Sequence, residues 1–455
     1  MINIKTDSRL VSSGDTFVAI KGHTVDGHDY IETAIKNGAK KIIAEHGEYS
    51  VETEIVENTE KYLNDYLVKN YSDKFKDIKF IGITWTNGKT TTAYLTSQIL
   101  TELNINNAYI GTIGFYINSN FVRELPNTTP DILALYNLIL ESIEKEVKVI
   151  VMEVSSHSLS LGRINGIKLN VAGFTNLTED HLDYHKTMEN YLEAKKLILN
   201  YLTDDGVMIS NIDDEYGTCF KYKNFKTLGF NDSDYKINNY EYTNLTTKIN
   251  FTYENKEYNV ETNLLNKFNI YNYITALAFI HNLNIEIKDI IDVTNKIYPP
   301  NGRNEIIKVG NNKAIVDYAH TPDAVEKIIT STLENKIGKI ITIVGCGGDR
   351  DPKKRPIMGN IATNLSDYVI LTNDNPRTED EKNIMKGIVS GIKKDNYEII
   401  HDRREAIKKG LSLLNENDTL LILGKGHEDY QIIGHKKIHL SDKEEVLNYI
   451  KENNL

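Results

Sequence analysis

Short, strongly apolar runs alternate with amphipathic stretches along most of this chain, and that alternation narrows the folds open to it. The runs are KKIIAE (40–45), KFIGIT (79–84), NAYIGTIG (107–114), VKVIVMEV (147–154), VAGFTNL (171–177), GVMISN (206–211), KAIVDYA (313–319), KIITIVG (339–345), YVILTND (368–374) and DTLLILGKG (418–426). Near-continuous apolar runs of this length suit strands buried on both faces. Helical patterns such as Thr91 to Leu103 and Ser441 to Glu452 lie between them. Strand and helix in that order predict α/β layers with mostly parallel sheets. At 455 residues the chain is too long for one core. Pro299-Pro300-Asn301-Gly302 is the clearest linker signal, and the polar stretch Tyr71 to Asp77 is a second seam. Together they predict domains at 1–76, 77–303 and 304–455. Within the second, Tyr235 to Val260 is rich in Tyr, Thr and Asn and reads as an antiparallel excursion.

A net charge of -11, with acids and bases intermixed, argues against a nucleic-acid partner but not against small phosphorylated ligands. Cys219 and Cys346 are the only cysteines, which suits a reducing compartment and gives neither a disulfide framework nor a zinc site. The start, MINIKTDSRL, is polar and unlike a signal peptide, and the apolar runs are too short to span a bilayer. The expected setting is the cytoplasm, and the expected state is a monomer.

GITWTNGKTTT (82–92) follows the apolar run KFIGI. A tight loop that feeds a helix can aim its backbone N–H groups at phosphate oxygens, with a Lys on the terminal phosphates and the next hydroxyl on Mg²⁺. Thr86, Asn87, Gly88, Lys89, Thr90 and Thr91 are the residues so placed. The general pattern asks for glycine at position 83, where this chain has Ile83. A glycine turn opening an ordinary helix is the plainer reading of the loop alone. Trp85, the only tryptophan, sits inside it.

TNGKTTT resembles the Mur ligase form of this loop, which usually has glycine at the position of Trp85. Stretches resembling the same family recur in the same order over nearly the whole length. They are DSR (7–9), NTTPD (127–131), MEVSSHSL (152–159), FTNLTEDHLDYH (174–185), NGR (301–303), VDYAHTPDA (316–324), GCGGDRDPKKRPIMG (345–359), DNPR (374–377) and GKGHEDYQ (424–431). The last three resemble members that add the third residue to a cell-wall peptide precursor. The resemblance implies a central P-loop ATPase domain, a Rossmann-like C-terminal domain and a small α/β N-terminal domain.

It also implies ATP-dependent amide ligation. A carboxylate does not become an amide directly at neutral pH, because hydroxide leaves poorly. Transfer of the γ-phosphoryl group gives an acyl phosphate that an amine can attack, and catalysis is then mostly positioning and charge neutralisation. Lys89 would grip phosphate and Thr90 would bind Mg²⁺. Glu153 ends an apolar strand, at the edge where ligands bind in open α/β sheets. With His181 it matches the family's metal ligands. Imidazole is an unusual partner for Mg²⁺, and Asp180, His181, Asp183 and His185 by themselves also read as a transition-metal cluster. In MENYLEAKKLIL, Met188, Tyr191, Leu192, Ile198 and Leu199 form one helical stripe with Lys195 in its middle. Pattern alone suggests a lysine stem lying on the core with its amine in water. The family match implies a carbamylated lysine (N6-carboxylysine), an anion able to hold a second Mg²⁺. Asn272 matches an adenine contact. Arg303 and Asp317, flanking the second domain boundary, match nucleotide ligands.

For the amine, Arg350 and Arg377 are candidate carboxylate partners, and Asp374 and Asn375 are available to an ammonium group. Gly424 and Glu428 complete the matched set. In the family, DNPR goes with meso-diaminopimelate, whose distal carboxylate lysine lacks; lanthionine offers the same end groups. Ser8 and Arg9 match the uridine end of UDP-N-acetylmuramoyl-L-alanyl-D-glutamate, and Asn127, Thr128, Thr129, Ser155 and Arg163 match its sugar and peptide. Trp85, Asn266 in place of a usual glycine, and Leu161 in place of a polar residue depart from the pattern. Lysine or another amine as substrate is one alternative; a silent nucleotide- or UDP-sugar-binding homologue, with Trp85 as the lesion, is another. Trp85 is expected to point away from the phosphates.

Overall fold

The structure, a computed structural model, describes residues 2–22, 25–243 and 245–455. The chain forms two compact units, Met1–Lys226 with Phe279–Asn284, and Thr227–Ala278 with Ile285–Leu455.

The first unit opens with a four-stranded parallel sheet of β1 (Ile4–Lys5), β2 (Thr16–Val18), β3 (Lys41–Ala44) and β4 (Glu52–Ile55). Phe17, Ile42 and Ala44 pack there with Val11, Ile31 and Ala34. A second sheet contains β5 (Lys79–Ile83), β6 (Asn107–Gly111), β7 (Gly114–Ile117), β8 (Asn120–Arg123), β9 (Val149–Glu153), β10 (Leu169–Phe174) and β11 (Leu202–Asn211). Their order is β11-β10-β5-β9-β6-β7-β8. The first five are parallel. All five residues of β9 are buried, which is why the strand reads as a continuous apolar run. The run NAYIGTIG is not one strand. It turns back at Gly114, whose φ of 120° suits glycine, and pairs antiparallel as Gly111↔Gly114. Ile83↔Glu153 is the last pair of β5 and β9, so Glu153 and the loop that follows Ile83 leave the sheet side by side.

In the second unit, β12 (Asn224–Gly229) pairs with β13 (Tyr235–Tyr242) at Leu228↔Tyr235, and β14 (Thr247–Tyr253) and β15 (Lys256–Thr262) continue as the antiparallel excursion. A six-stranded sheet follows, with β16 (Glu305–Val309), β17 (Asn312–Asp317), β18 (Ile340–Val344), β19 (Tyr368–Leu371), β20 (Tyr397–Ile399) and β21 (Thr419–Leu423). Its order is β16-β17-β21-β18-β19-β20, and only β16 runs antiparallel. Val344 and Leu371 face a cluster containing Val325, Ile328, Met358 and Ile384; Ile343 and Ile422 face another containing Ala406, Ile407 and Val446. Helices therefore cover both faces, the doubly wound arrangement that sets ligands outside the C-terminal strand ends. A hairpin of β22 (Tyr430–Ile433) and β23 (Lys436–His439) completes the unit. Among the described residues, no helix is long and apolar enough to cross a membrane.

Candidate active site

Gly88, with φ 97°, caps the helix Lys89–Glu102, a backbone conformation glycine adopts without strain. The loop before it is fastened to the segment after β10. Thr86 N donates to Asn176 O (3.1 Å), Asn87 N to Asn176 Oδ1 (2.9 Å), and Thr178 N to Thr86 Oγ1 (3.1 Å). Lys89 Nζ folds over the loop and donates to Trp85 O (2.7 Å) and Thr86 O (3.0 Å). Thr90 and Thr91 lie buried in the first helical turn.

Trp85 is fully buried, and its φ lies outside the left-handed region, so the position demands no glycine. A methyl group added at Gly173 would sit 3.4 Å from Trp85 Cζ3 and 2.3 Å from Phe279 Cζ. The indole thus occupies interior space beside bare Gly173 backbone, while the backbone carbonyl of Trp85 accepts from Lys89. Among the described residues, Trp85 Nε1 finds no hydrogen-bond partner.

Glu153 is fully buried and accepts four hydrogen bonds. They come from Thr90 Oγ1 (3.0 Å), Tyr109 Oη (2.5 Å), Thr112 N (2.9 Å) and Thr112 Oγ1 (3.2 Å). A Cβ at Gly111 would stand 2.3 Å from Glu153 Oε1, so the close approach needs glycine there. The same network reaches the substrate candidates. Thr129 Oγ1 donates to Glu153 O (2.9 Å), Ser155 N donates to Thr129 Oγ1 (3.0 Å), and Arg163 Nη1 donates to Thr129 O (3.0 Å). Thr128 and Thr112 hydroxyls lie 3.0 Å apart, and Asn127 is exposed nearby in sequence. Ser8 opens a 3-10 turn, Ser8–Leu10, between β1 and β2: the residue is buried, its carbonyl accepts from Asn37 Nδ2, and Arg9 is exposed and paired with Asp7 at 2.6 Å.

His181 has φ 54° and is half-exposed, with Asp180 Oδ2 3.5 Å away and the His157 ring at 5.0 Å. Burial lowers the pKa of His157 and of His185, whose Nε2 meets Ser156 Oγ at 2.8 Å. Among the described residues, Asp180, His181, Asp183 and His185 do not form a group of three or more side chains placed to hold a metal ion. Lys195 also corrects the pattern. The α-helix is Met188–Lys196, so Lys195 is near its end rather than mid-stripe, and its amine does not reach water. Nζ donates to Trp85 O (3.0 Å) and lies 4.4 Å from the Tyr191 ring centroid. Burial first, then the Lys89 charge, drives its pKa well below the ordinary lysine value.

The second unit gathers the amino-acid candidates at the C-terminal ends of β18, β19 and β21. Loops 345–350 and 374–379 are laced together. Gly348 N donates to Asn375 O (2.9 Å), Arg377 Nη1 to Gly348 O (2.9 Å), Thr378 Oγ1 to Asp349 Oδ2 (2.9 Å) and Asp349 N to Glu379 Oε2 (3.1 Å). Buried Arg355 grips Glu379 through two bonds of 2.6 and 2.7 Å. Arg377 adopts φ 54°, a strained conformation for its type, fixed by bonds to Ile432 and Gly434. Arg350 is exposed. Asp374 lies close to Gly424, where a Cβ would be 2.6 Å from Asp374 Oδ2. Asn375 Nδ2 donates to Glu428 Oε2 (2.9 Å). Asp317 accepts from Asn304 N (2.6 Å) and Ala319 N (2.8 Å); burial raises its pKa against the lowering effect of Arg303. The Arg303 guanidinium lies 4.5 Å from the Tyr318 ring centroid, and Asn272 bonds Asn269.

Three family models match the chain: the Mur ligase family catalytic domain over residues 2–78, the Mur ligase middle domain over 83–280, and the Mur ligase glutamate ligase domain over 302–426. A UDP-N-acetylmuramoyl-L-alanyl-D-glutamate–2,6-diaminopimelate ligase of Clostridium botulinum is 40% identical over 462 residues, covering 99% of this chain and 95% of that protein. The chain belongs to the Mur ligase family. The enzyme of the same name from Fusobacterium nucleatum is also 40% identical, covering 97% of this chain and 92% of its own. A solved structure of an enzyme so named superposes with a TM-score of 0.74 at 31% identity, covering 99% of this Mur ligase and 95% of that chain. The three-domain α/β fold expected from the resemblance is the fold observed.

Sequence reasoning missed several residues of this ligase that touch the candidate site. Tyr109 and Thr112 saturate Glu153, and Tyr191 flanks both Thr86 and Lys195. Lys425 is fully buried against Glu428. Lys425 stood inside a quoted motif, GKGHEDYQ, and the lone Lys between two glycines was the available signal. The donors to Glu153 left none, because they come from a different strand and its turn.

Proposed function

We propose that this ligase adds meso-diaminopimelate, or a similar diamino diacid, to UDP-N-acetylmuramoyl-L-alanyl-D-glutamate, using ATP and an acyl-phosphate intermediate, in the cytoplasm. The observation that carries the reading is the 3.0 Å bond between Thr90, in the first turn of the helix that follows β5, and Glu153, at the end of the adjacent β9. That pairing puts a hydroxyl and a carboxylate where the terminal phosphates of a nucleotide on this loop would lie.

The hydroxyl of Thr90 and the carboxylate of Glu153 fit Mg²⁺, which takes oxygens in octahedral array and is usually held by one or two carboxylates with waters and phosphates. Thr90, Glu153, His181 and carbamylated Lys195 are the residues that would hold it. Bound there, Mg²⁺ would supply charge neutralisation on the phosphates. Lys195 reacts with CO₂ only as the free amine, giving a carbamate and releasing one proton, and its depressed pKa favours that form. Lys89 would exchange its two carbonyl partners for phosphate oxygens. The loop amides of Thr86, Asn87, Gly88 and Thr91 would complete the cradle.

In the reaction, a carboxylate oxygen of the substrate's glutamate attacks the γ-phosphorus, and ADP leaves. The neutral amine then attacks the acyl carbon, gives up one proton as the amide forms, and phosphate leaves with its bridging oxygen. Thr128, Thr129, Ser155 and Arg163 would orient the peptide acid beside Glu153, and Ser8 and Asn127 would hold the UDP-sugar. Arg350 and Arg377 suit the carboxylates of the incoming diacid, and Asp374, Asn375, Gly424 and Glu428 its ammonium end. The burial of the Trp85 ring supports the reading that it stays clear of this chemistry. The test is incubation with ATP, Mg²⁺, the UDP-dipeptide and a panel of diaminopimelate, lanthionine and lysine, read by product mass. Diaminopimelate should dominate; a product carrying only lysine would refute the arginine assignment.

A further inference from the structure

We propose that Lys425 is a positioning residue for the ammonium end of the diamino acid, acting through Glu428 and Asn375; this rests on the function proposed above. The side chain of Lys425 is 0% exposed, so it does not meet a ligand directly. Its Nζ donates to Glu428 Oε2 (2.9 Å) and to Asn375 Oδ1 (3.3 Å). Asn375 Nδ2 donates to the same Glu428 oxygen (2.9 Å), and Ile432 N donates to Asn375 Oδ1 (2.9 Å). One carboxylate oxygen of Glu428 is therefore locked by two donors, which fixes the rotamer and leaves the other oxygen for a ligand. The backbone supports the lock. Gly424 N donates to Asp317 O (3.0 Å), and Glu428 N donates to Lys425 O (3.0 Å), so the loop carrying Lys425 is tied to β17 and closed on itself.

Charge points the same way. Asp374 and Glu428 bring two negative charges to this corner, and Lys425 brings one positive. Arg403 lies behind them, but its charge is matched by fully buried Asp442 through bonds of 2.7 and 2.7 Å. Arg377, whose Nη1 donates to Asn375 O (3.4 Å), supplies the cation for a carboxylate of the amino acid, which leaves Asp374 and Glu428 to its ammonium group. Without Lys425 the two carboxylates would repel, and Glu428 would lose the partner that orients it. A merely structural ion pair would hold the loop folded and leave substrate affinities in their usual proportions. A positioning residue moves one KM alone.

The experiment uses the full chain and steady-state kinetics with ATP, the UDP-dipeptide and diaminopimelate. Lys425→Met should raise the KM for diaminopimelate by roughly 30-fold or more, the loss expected when one partner of a buried charge pair is truncated. The KM values for ATP and the UDP-dipeptide should stay within about twofold, and Lys425→Arg should recover part of the loss. Lys425→Met combined with Glu428→Gln should be no worse than Glu428→Gln alone, because both act through one carboxylate. A KM shift shared equally by all three substrates, or losses that multiply in the double variant, would overturn the role. If Lys425→Met fails to fold, the same criteria apply to Lys425→Gln, which removes the charge and keeps a polar side chain. No product from the unsubstituted chain would overturn the function and this role with it, whereas normal turnover with an unmoved diaminopimelate KM overturns the role alone.

Discussion

Replacing Trp85 by glycine restores the residue usual in the family, yet this chain should be damaged by it. The indole is fully buried beside Gly173 and Phe279. A buried tryptophan removes roughly 200 Å² from water, worth about 5 kcal/mol at about 25 cal/mol per Å². Its Nε1 is buried without a partner among the described residues, which gives back about 1–3 kcal/mol. The net loss for Trp85→Gly is therefore about 2–4 kcal/mol, or a fall of about 4–16 °C in melting temperature for a unit of this size. Trp85→Phe keeps a ring in the space and deletes the unpaired N–H, so it should cost less than about 1.5 kcal/mol. Thermal unfolding followed by far-ultraviolet circular dichroism suits both variants, because neither retains the tryptophan fluorophore. Ligation by Trp85→Phe should match the parent within about threefold. A Trp85→Gly protein as stable as the parent, which alone turns over substrate, would refute the account of the loop.

Glu153→Gln preserves shape but removes the carboxylate charge, and kcat should fall by on the order of 10²–10³ while the protein stays folded. For Lys195, the folded pKa is depressed, so between that value and 10.5 the unfolded chain binds the additional proton and stability rises with pH. Lys195→Met should flatten that slope in urea midpoints measured across the interval, and it should abolish ligation. Arg377→Ala should raise the diaminopimelate KM by roughly 30-fold or more, with the ATP KM little changed. Arg403→Met alone strands buried Asp442 and should cost about 3–5 kcal/mol, whereas removing both partners with apolar residues should cost far less, as denaturant titration would show.

The strands were legible because parallel strands buried on both faces leave continuous apolar runs; Val149–Glu153 is the clearest case. NAYIGTIG misled because its two strands share one apolar run, and the turn depends on a single glycine conformation. The asparagine at 266, read as a mild replacement for glycine, does adopt φ 77°, and its amide also bonds Asn304 and Asn335. Lys195 was hidden by periodicity, which assigns a face but not the depth of a long side chain. The bonds uniting Thr90, Tyr109, Thr112, Thr129 and Arg163 around Glu153 were out of reach of spacing rules, since they join five separate segments. Trp85 was the reverse: its departure from pattern was plain in sequence, but only Gly173, 88 residues later, explains the room for it.

Acyl-phosphate formation is the central claim, and oxygen transfer tests it most directly. The UDP-dipeptide would be prepared with ¹⁸O in the carboxylate that becomes the amide, and ligated with ATP and diaminopimelate. The account predicts one ¹⁸O atom in each phosphate released, carried over from the attacked carboxylate. Product that forms with unlabelled phosphate would contradict it.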